Sequence, residues 1–331
     1  MLGSTWHLSV IDAGQPRAVE YGSALLLHSA RMPLHSTAWS GAPMVDGTVL
    51  LAGPDGQIVR RTQFGKRHGR PVTGDFNGDG ITDVGMFLHG EWFIDVNGNG
   101  QWDAADLWAK LGHDGDLPVT GDWDGDGKLD IGIFGPAWPG DPRAVAAEPG
   151  LPGAHNPVRG PQKNVPPAPD RATLGARRMK LTSRGQLRSD LIDHVFHYGT
   201  LGDEPVTGDW NGDGVHTIGV YRNGLWHLDV DGDGRWSPGD VALQYGRPGD
   251  KPVVGDWNGD GVDDVGVFRA GTWHLDTDGN GRLDAHDKVL ALGTAGDQPI
   301  VGDWDGDGAD EPGVYQAGGD AASDAASDAV K

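Results

Sequence analysis

Apolar and polar residues alternate along this chain in short runs, never in long ones. Residues 71–74, 84–88, 91–95 and 107–111 are apolar-rich runs bounded by Gly, Asp or Asn. Such runs predict short strands separated by tight turns. Residues 48–52 and 57–62 flank Gly-Pro-Asp-Gly and predict a further hairpin. No long segment keeps the 3.6-residue period, which argues against alternating strand–helix units.

The pattern repeats. PVTGDFNGDGITDVGMF begins at residue 71, and related stretches begin at 118, 205, 252 and 299. The intervals are 47, 87, 47 and 47 residues, so one copy carries about 40 extra residues. Four strands in 47 residues is the size of a propeller blade. The expected fold is therefore all-β, a β-propeller over residues 1–316 of about six four-stranded blades, with seven as the alternative. A β-solenoid fits less well, because solenoid repeats are usually shorter.

The ends carry half-units. Residues 1–22 match the second half of a repeat, as in 224–246, and the copy from residue 299 has only the first half. Pairing of these two halves would close the ring and remove exposed sheet edges. Residues 23–70 span about one period without the motif and read as a degenerate unit. Residues 139–184 form a Pro-rich insertion within one blade, expected to be extended and loosely ordered. It carries Arg143, Arg159, Lys163, Arg171, Arg177, Arg178 and Lys180 on an otherwise acidic chain, as a docking arm or a tolerated surface insertion. Residues 317–331 are a low-complexity tail, expected to be disordered.

Composition narrows the function. A net charge of −22 argues against nucleic acid and against an anionic membrane surface as partners. There is no Cys, which removes disulfides and thiol chemistry. No apolar run is long enough for a spanning helix, so membrane insertion is not expected, and no signal peptide is visible. Hydrophobic content is only 37%, low for a packed globule, which a repeat protein with many turns and bound cations can tolerate.

Candidate chemistry lies in the acidic loops. The first loop of each repeat reads D-x-[DN]-x-D-G-x-x-[DE] in four of five copies. The candidate ligands are Asp75, Asn77, Asp79 and Asp83; Asp122, Asp124, Asp126 and Asp130; Asp256, Asn258, Asp260 and Asp264; and Asp303, Asp305, Asp307 and Glu311. The remaining copy, Asp209, Asn211 and Asp213, has Thr217 at the last position and is expected to bind more weakly. A second loop follows the Trp strand: Asp95, Asn97, Asn99, Asp103 and Asp106; Asp229, Asp231, Asp233, Ser237 and Asp240; and Asp276, Asp278, Asn280, Asp284 and Asp287. Its spacing is 1, 3, 5, 9, 12, as in an EF-hand, with Asp in place of the usual Glu at 12. The interrupted unit lacks it. Alternate residues of such a loop converge, and a hard cation needs six to eight oxygens at about 2.3–2.6 Å. Asp-Gly and Asn-Gly are also ordinary turn formers, and one copy alone would not decide between the readings. Eight copies in fixed register favour Ca2+ over Mg2+, which demands stricter geometry. Eight divalent ions would bring the net charge to about −6.

The stretch GDWNGDGVDDVGVF resembles the FG-GAP/VCBS repeat of integrin-alpha-like calcium-binding β-propellers, as found in large bacterial surface proteins. The resemblance covers roughly residues 71–138 and 185–316. It implies the propeller fold and calcium, and roles mostly in adhesion and recognition.

Other residues offer less. Trp123, Trp210, Trp257 and Trp304 share a register with Phe76, while Trp92, Trp226 and Trp273 share one with Trp6, which predicts blade packing. Trp102 and Trp236 sit at position 8 of second loops, where packing over the loop competes with sugar stacking. His227 and His274 repeat with His7 and read as scaffold, and His194 and His197 lack the converging partners of a zinc site. No nucleophile constellation and no phosphate loop appear, so no enzyme is expected. The expected function is a non-catalytic, calcium-binding adhesion or recognition module, extracellular or at the cell surface, whose partner is a protein or a glycan. The rival readings are a calcium-dependent polysaccharide lyase or hydrolase, and a ligand-free spacer in a larger surface protein.

Overall fold

The computed structural model describes residues 4–9, 46–136 (except 104, 105, 113, 114 and 124), 194–196, 198–199 and 202–318 (except 233 and 235). The Pro-rich insertion, the tail beyond residue 318, His197, and the candidate ligands Asp124 and Asp233 lie outside the described residues. The described chain contains twenty strands and no helix. They are β1 (Ser4–Ser9), β2 (Gly47–Ala52), β3 (Ile58–Gln63), β4 (Arg70–Gly74), β5 (Asp83–Leu88), β6 (Glu91–Asp95) and β7 (Leu107–Lys110). There follow β8 (Leu117–Gly121), β9 (Asp130–Pro136), β10 (His194–Phe196), β11 (Glu204–Gly208), β12 (Thr217–Arg222), β13 (Leu225–Leu228) and β14 (Val241–Gln244). The last six are β15 (Lys251–Gly255), β16 (Asp264–Arg269), β17 (Thr272–Leu275), β18 (Lys288–Ala291), β19 (Gln298–Gly302) and β20 (Glu311–Ala317).

These strands form five four-stranded antiparallel sheets. Blade I is β4-β5-β6-β7, blade III is β11-β12-β13-β14 and blade IV is β15-β16-β17-β18. Blade II is β8-β9-β1-β10, and blade V is β19-β20-β2-β3. The first strands β4, β8, β11, β15 and β19 neighbour one another in a closed cycle, so the sheets stand around an axis as in a β-propeller. The blade number is five, which corrects the expectation of six or seven.

The correction has a physical cause. The two terminal half-units do not pair with each other. The strand β20 pairs with β2, with Val49 opposite Tyr315 and Leu50 opposite Val314. The hairpin β2–β3 thus supplies the two outer strands that β19–β20 lacks, so the degenerate unit is half of blade V and not a blade of its own. Its third strand has no Trp: Val49 stands where other blades place one. The strand β1 takes the third position of blade II, with Trp6 opposite Phe134. That is the register of Trp92 with Phe87, Trp226 with Tyr221 and Trp273 with Phe268. Two blades are thus completed by sequence-distant strands, blade II by β1 and blade V by the β2–β3 hairpin.

Packing follows from the pleat. Successive side chains of a strand face opposite sides of the sheet, and each side meets a neighbouring blade. Among the described residues there are five buried clusters, one at each seam. At the seam of blades I and II, Phe76, Trp92 and Leu111 meet Ile131 and Ile133. At the closing seam, Tyr315 and Phe64 of blade V meet Met86, Phe93 and Trp108 of blade I. Trp92, Trp226 and Trp273 are fully buried, and each indole N–H donates to the carbonyl of the residue just past the fourth strand, Leu111, Tyr245 or Leu292, at 2.9–3.1 Å. Each contributes roughly 3 kcal/mol of burial, and the hydrogen bond removes the cost of a buried donor. Gly85 in β5 leaves room for the inner strand, since a Cβ there would lie 2.9 Å from side-chain carbons of both Val72 and Ile94.

Candidate metal loops at one end of the ring

The β4–β5 and β6–β7 connections lie at the same end of blade I, because antiparallel hairpins alternate ends. The same holds in blades III and IV, so first and second acidic loops stand side by side. Asn77 Nδ2 donates to Val96 O at 2.8 Å, Asn211 Nδ2 to Val230 O at 3.2 Å, and Asn258 Nδ2 to Thr277 O at 3.4 Å. Each bond runs from position 3 of a first loop to the second residue of its neighbouring second loop. Among the described residues blades II and V show no second acidic loop, and the sequence has Asp at position 3 of their first loops, Asp124 and Asp305. An Asp facing that carbonyl would be repelled, whereas Asn bridges it.

The first loops share one hydrogen-bond plan. The position-1 carboxylate holds the turn together. Asp75 Oδ1 accepts from Gly78 N at 2.6 Å and Oδ2 accepts from Gly80 N at 2.8 Å. Asp122, Asp209, Asp256 and Asp303 repeat the arrangement. The position-5 carboxylate accepts from position 7, as Asp79 does from Ile81 N at 2.9 Å; Asp126, Asp213, Asp260 and Asp307 do the same. The position-9 carboxylate folds back: Asp83, Asp130 and Glu311 accept from the N–H of position 2 at 3.2–3.3 Å. The glycine at position 6 takes positive φ in every copy, 84° at Gly80 for example.

Second loops are built alike. Asp95, Asp229 and Asp276 each accept from the N–H of position 6. Asp106, Asp240 and Asp287 at position 12 each accept from the N–H of position 9. In the first of these loops the amides of Asn97 and Asn99 reach Asp103, and Asn97 also reaches Asp106 at 3.1 Å.

Several carboxylates are buried among like charges. Burial, with the nearby Asp75, Asp79 and Asp95 charges, pushes Asp83 up to about 8. Burial likewise pushes Asp264, Glu311 and Asp106 up to about 7, and Asp122 and Asp276 up to about 6. Asp95 is raised for the same reason. Such groups hold a proton or need a cation.

Three triads bring ligand atoms within 4.8 Å of one another: Asp229, Asp231 and Asp240; Asp276, Asp278 and Asp287; and Asp303, Asp305 and Glu311. Asp278 also groups with Asp284 and His286. The loops with Asn at position 3 offer fewer carboxylates, so oxygens of amides and backbone would complete their sets. Asp287 Oδ1 is buried beside the Tyr245 hydroxyl, and burial raises its carboxyl above the ordinary value. The all-carboxylate donor set of Asp276, Asp278 and Asp287 fits a hard divalent cation. Thr217 replaces the acid in the third first loop, and its buried hydroxyl has no partner.

The remaining expected residues divide. Trp123 and Trp257 are buried, and Trp210 and Trp304 are half-buried, so this register packs. Trp102 lies edge-on to Phe93 at 5.3 Å. Trp236 lies edge-on to His227 at 5.1 Å but stays 54% exposed. His274 contacts Arg269 and, by burial first, is pushed below its ordinary value.

Two groups of Asp were missed by sequence reasoning. Asp203 and Asp250 are buried at the opposite end, each bound by an Arg of its own blade: Arg222 Nη2 and Arg269 Nη2, both at 2.6 Å. The signal was a Gly-Asp preceding four of the five inner strands, β8, β11, β15 and β19. Asp263 and Asp310 sit at position 8 of their first loops, lining the axial channel of about 450 Å³ beside His216. Burial pushes Asp263 up to about 7 and Asp310 up to about 8.

No protein-family model matches the chain, and no curated protein matches it. The architecture is that of a β-propeller, and the likeness to FG-GAP/VCBS repeats rests on the loop motif alone. Among the described residues no helix is long and apolar enough to cross a membrane.

Proposed function

We propose that this protein is an FG-GAP/VCBS-like propeller in which calcium in the repeated acidic loops is structural. It serves as a non-catalytic adhesion or recognition module, extracellular or at the cell surface, with a protein or glycan partner. What supports the reading most is the set of buried, like-charged carboxylates at fixed loop positions, of which Asp83 is the extreme case. A core that needed only turns would not bury acids beside acids. Asp276, Asp278 and Asp287 would hold one ion, and Asp303, Asp305 and Glu311 another. The ion would supply charge neutralisation and a rigid anchor between strands, and the loop end would present a fixed surface to a partner. Extracellular calcium suits sites of modest affinity.

The test has two stages on the full chain. Equilibrium dialysis should find several calcium ions per chain that magnesium at equal concentration does not displace. Binding to extracellular-matrix protein and glycan arrays should then require calcium. A chain that takes up no calcium would remove the metal reading, and calcium uptake with no retained partner would favour the spacer.

A further inference from the structure

We propose that the first loops fill with cations cooperatively along an arc of four blades, III, IV, V and I, and that the residue at loop position 8 couples them. The inference rests on the cation reading above. Every seam carries one backbone bond from position 8 of a loop to position 1 of the loop before it. Thr82 N donates to Asp303 O, Leu129 N to Asp75 O, His216 N to Asp122 O, Asp263 N to Asp209 O and Asp310 N to Asp256 O, all at 2.7–2.9 Å.

Three seams add a return bond. Asp209 N donates to Asp263 Oδ2 at 2.7 Å, Asp256 N to Asp310 Oδ2 at 2.9 Å, and Asp303 N to Thr82 Oγ1 at 3.0 Å. These clasp blade III to IV, IV to V, and V to I. Both seams of blade II lack the return bond. Leu129 has no side-chain acceptor, and the His216 ring instead approaches Asp263 Oδ2 at 3.5 Å.

The coupling has a short mechanical path. Position 1 organises its own loop through its carboxylate, while a clasp fixes its backbone N–H and C=O to the next blade. Position 8 is covalently joined to position 9, the acid that closes the next loop. A cation that draws in position 9 therefore moves position 8 and, through two hydrogen bonds, position 1 of the loop before. Pre-ordering one loop lowers the cost of ordering the next, which is positive coupling between sites. Blade II, joined by single bonds, fills on its own.

Calcium titration calorimetry of the full chain tests this. The wild type should show a steep phase for the arc. Asp263→Ala and Asp310→Ala should flatten it and weaken arc binding by roughly tenfold, whereas Asp263→Asn, which keeps an acceptor, should retain most of the steepness. Amide exchange supplies a second readout: calcium should slow Asp209, Asp256 and Asp303 together, and Asp75 less. If the Ala variants fail to fold, Leu129→Asp tests the same idea by adding the missing return bond and should draw blade II into the steep phase. Unchanged steepness in all variants, with normal calcium uptake, overturns the coupling and leaves the cation reading standing. No uptake by the wild type overturns both.

Discussion

Blade IV and blade II contain the same first loop and the same inner hairpin, yet they are assembled differently. Blade IV runs as four consecutive strands, β15 to β18, closed by Trp273 and served by two acidic loops bridged through Asn258. Blade II borrows its third strand from residues 4–9 and has one acidic loop with two singly bonded seams. The contrast separates two jobs of the repeat. Local sequence suffices to make a hairpin and its loop, whereas completing a blade depends on which distant strand arrives. Position 3 follows that outcome: it is Asn where a second loop stands beside it and Asp where none does.

Deleting residues 1–9 should break the comparison most severely. It removes pairing on both sides of β1 from blade II, a loss on the order of several kcal/mol. Denaturant unfolding should show a large drop in midpoint, while deletion of 319–331 should leave the midpoint nearly unchanged. Next in size is Trp273→Ala in blade IV. It empties a fully buried site and orphans the Leu292 carbonyl, and should cost about 3–5 kcal/mol in the same assay. Trp236→Ala, at a half-exposed indole, should stay within about 0.5 kcal/mol.

Much of the fold was legible before the structure. The strands in residues 70–110 fall within one residue of their expected limits, because period-2 runs and Gly turns are local signals. Blade number was not legible. The partner of β20 is β2, some 260 residues earlier in the chain, and no pattern in either strand names the other. Val49 in place of Trp hid the complement of blade V. In the loops, the candidate ligand positions were readable from spacing, but the seam bonds made by position 8 were not. Position 8 is Thr, Leu, His, Asp and Asp in the five copies, and no shared residue type signals the backbone bond that each makes across its seam.

The acidic loops give effects of opposite sign with and without metal. Asp83, Asp264 and Glu311 have folded-state values above those of the unfolded chain. In the metal-free protein the folded state therefore keeps protons that the unfolded state releases. Their stabilisation is fully present below about pH 4 and is lost as pH rises through about 7–8. Melting in chelator should accordingly peak on the acid side and decline towards pH 8. Asp83→Asn should raise the metal-free midpoint at pH 8 and shrink the gain from calcium. A modest effect on calcium binding is expected from Asn258→Asp, which replaces a donor to Thr277 O by a repelled carboxylate. It should weaken calcium binding in blade IV only a few-fold, read by titration.

The most direct test is thermal unfolding of the full chain at pH 7.5 in millimolar calcium and in excess chelator. Ligand bound only by the folded state adds about 2.7 kcal/mol per site at a hundredfold excess over its dissociation constant. Several occupied loops should therefore raise the midpoint by on the order of 10 °C or more. Coincident melts in calcium and chelator would mean that the Asp-Gly loops are turns alone, and would contradict the account.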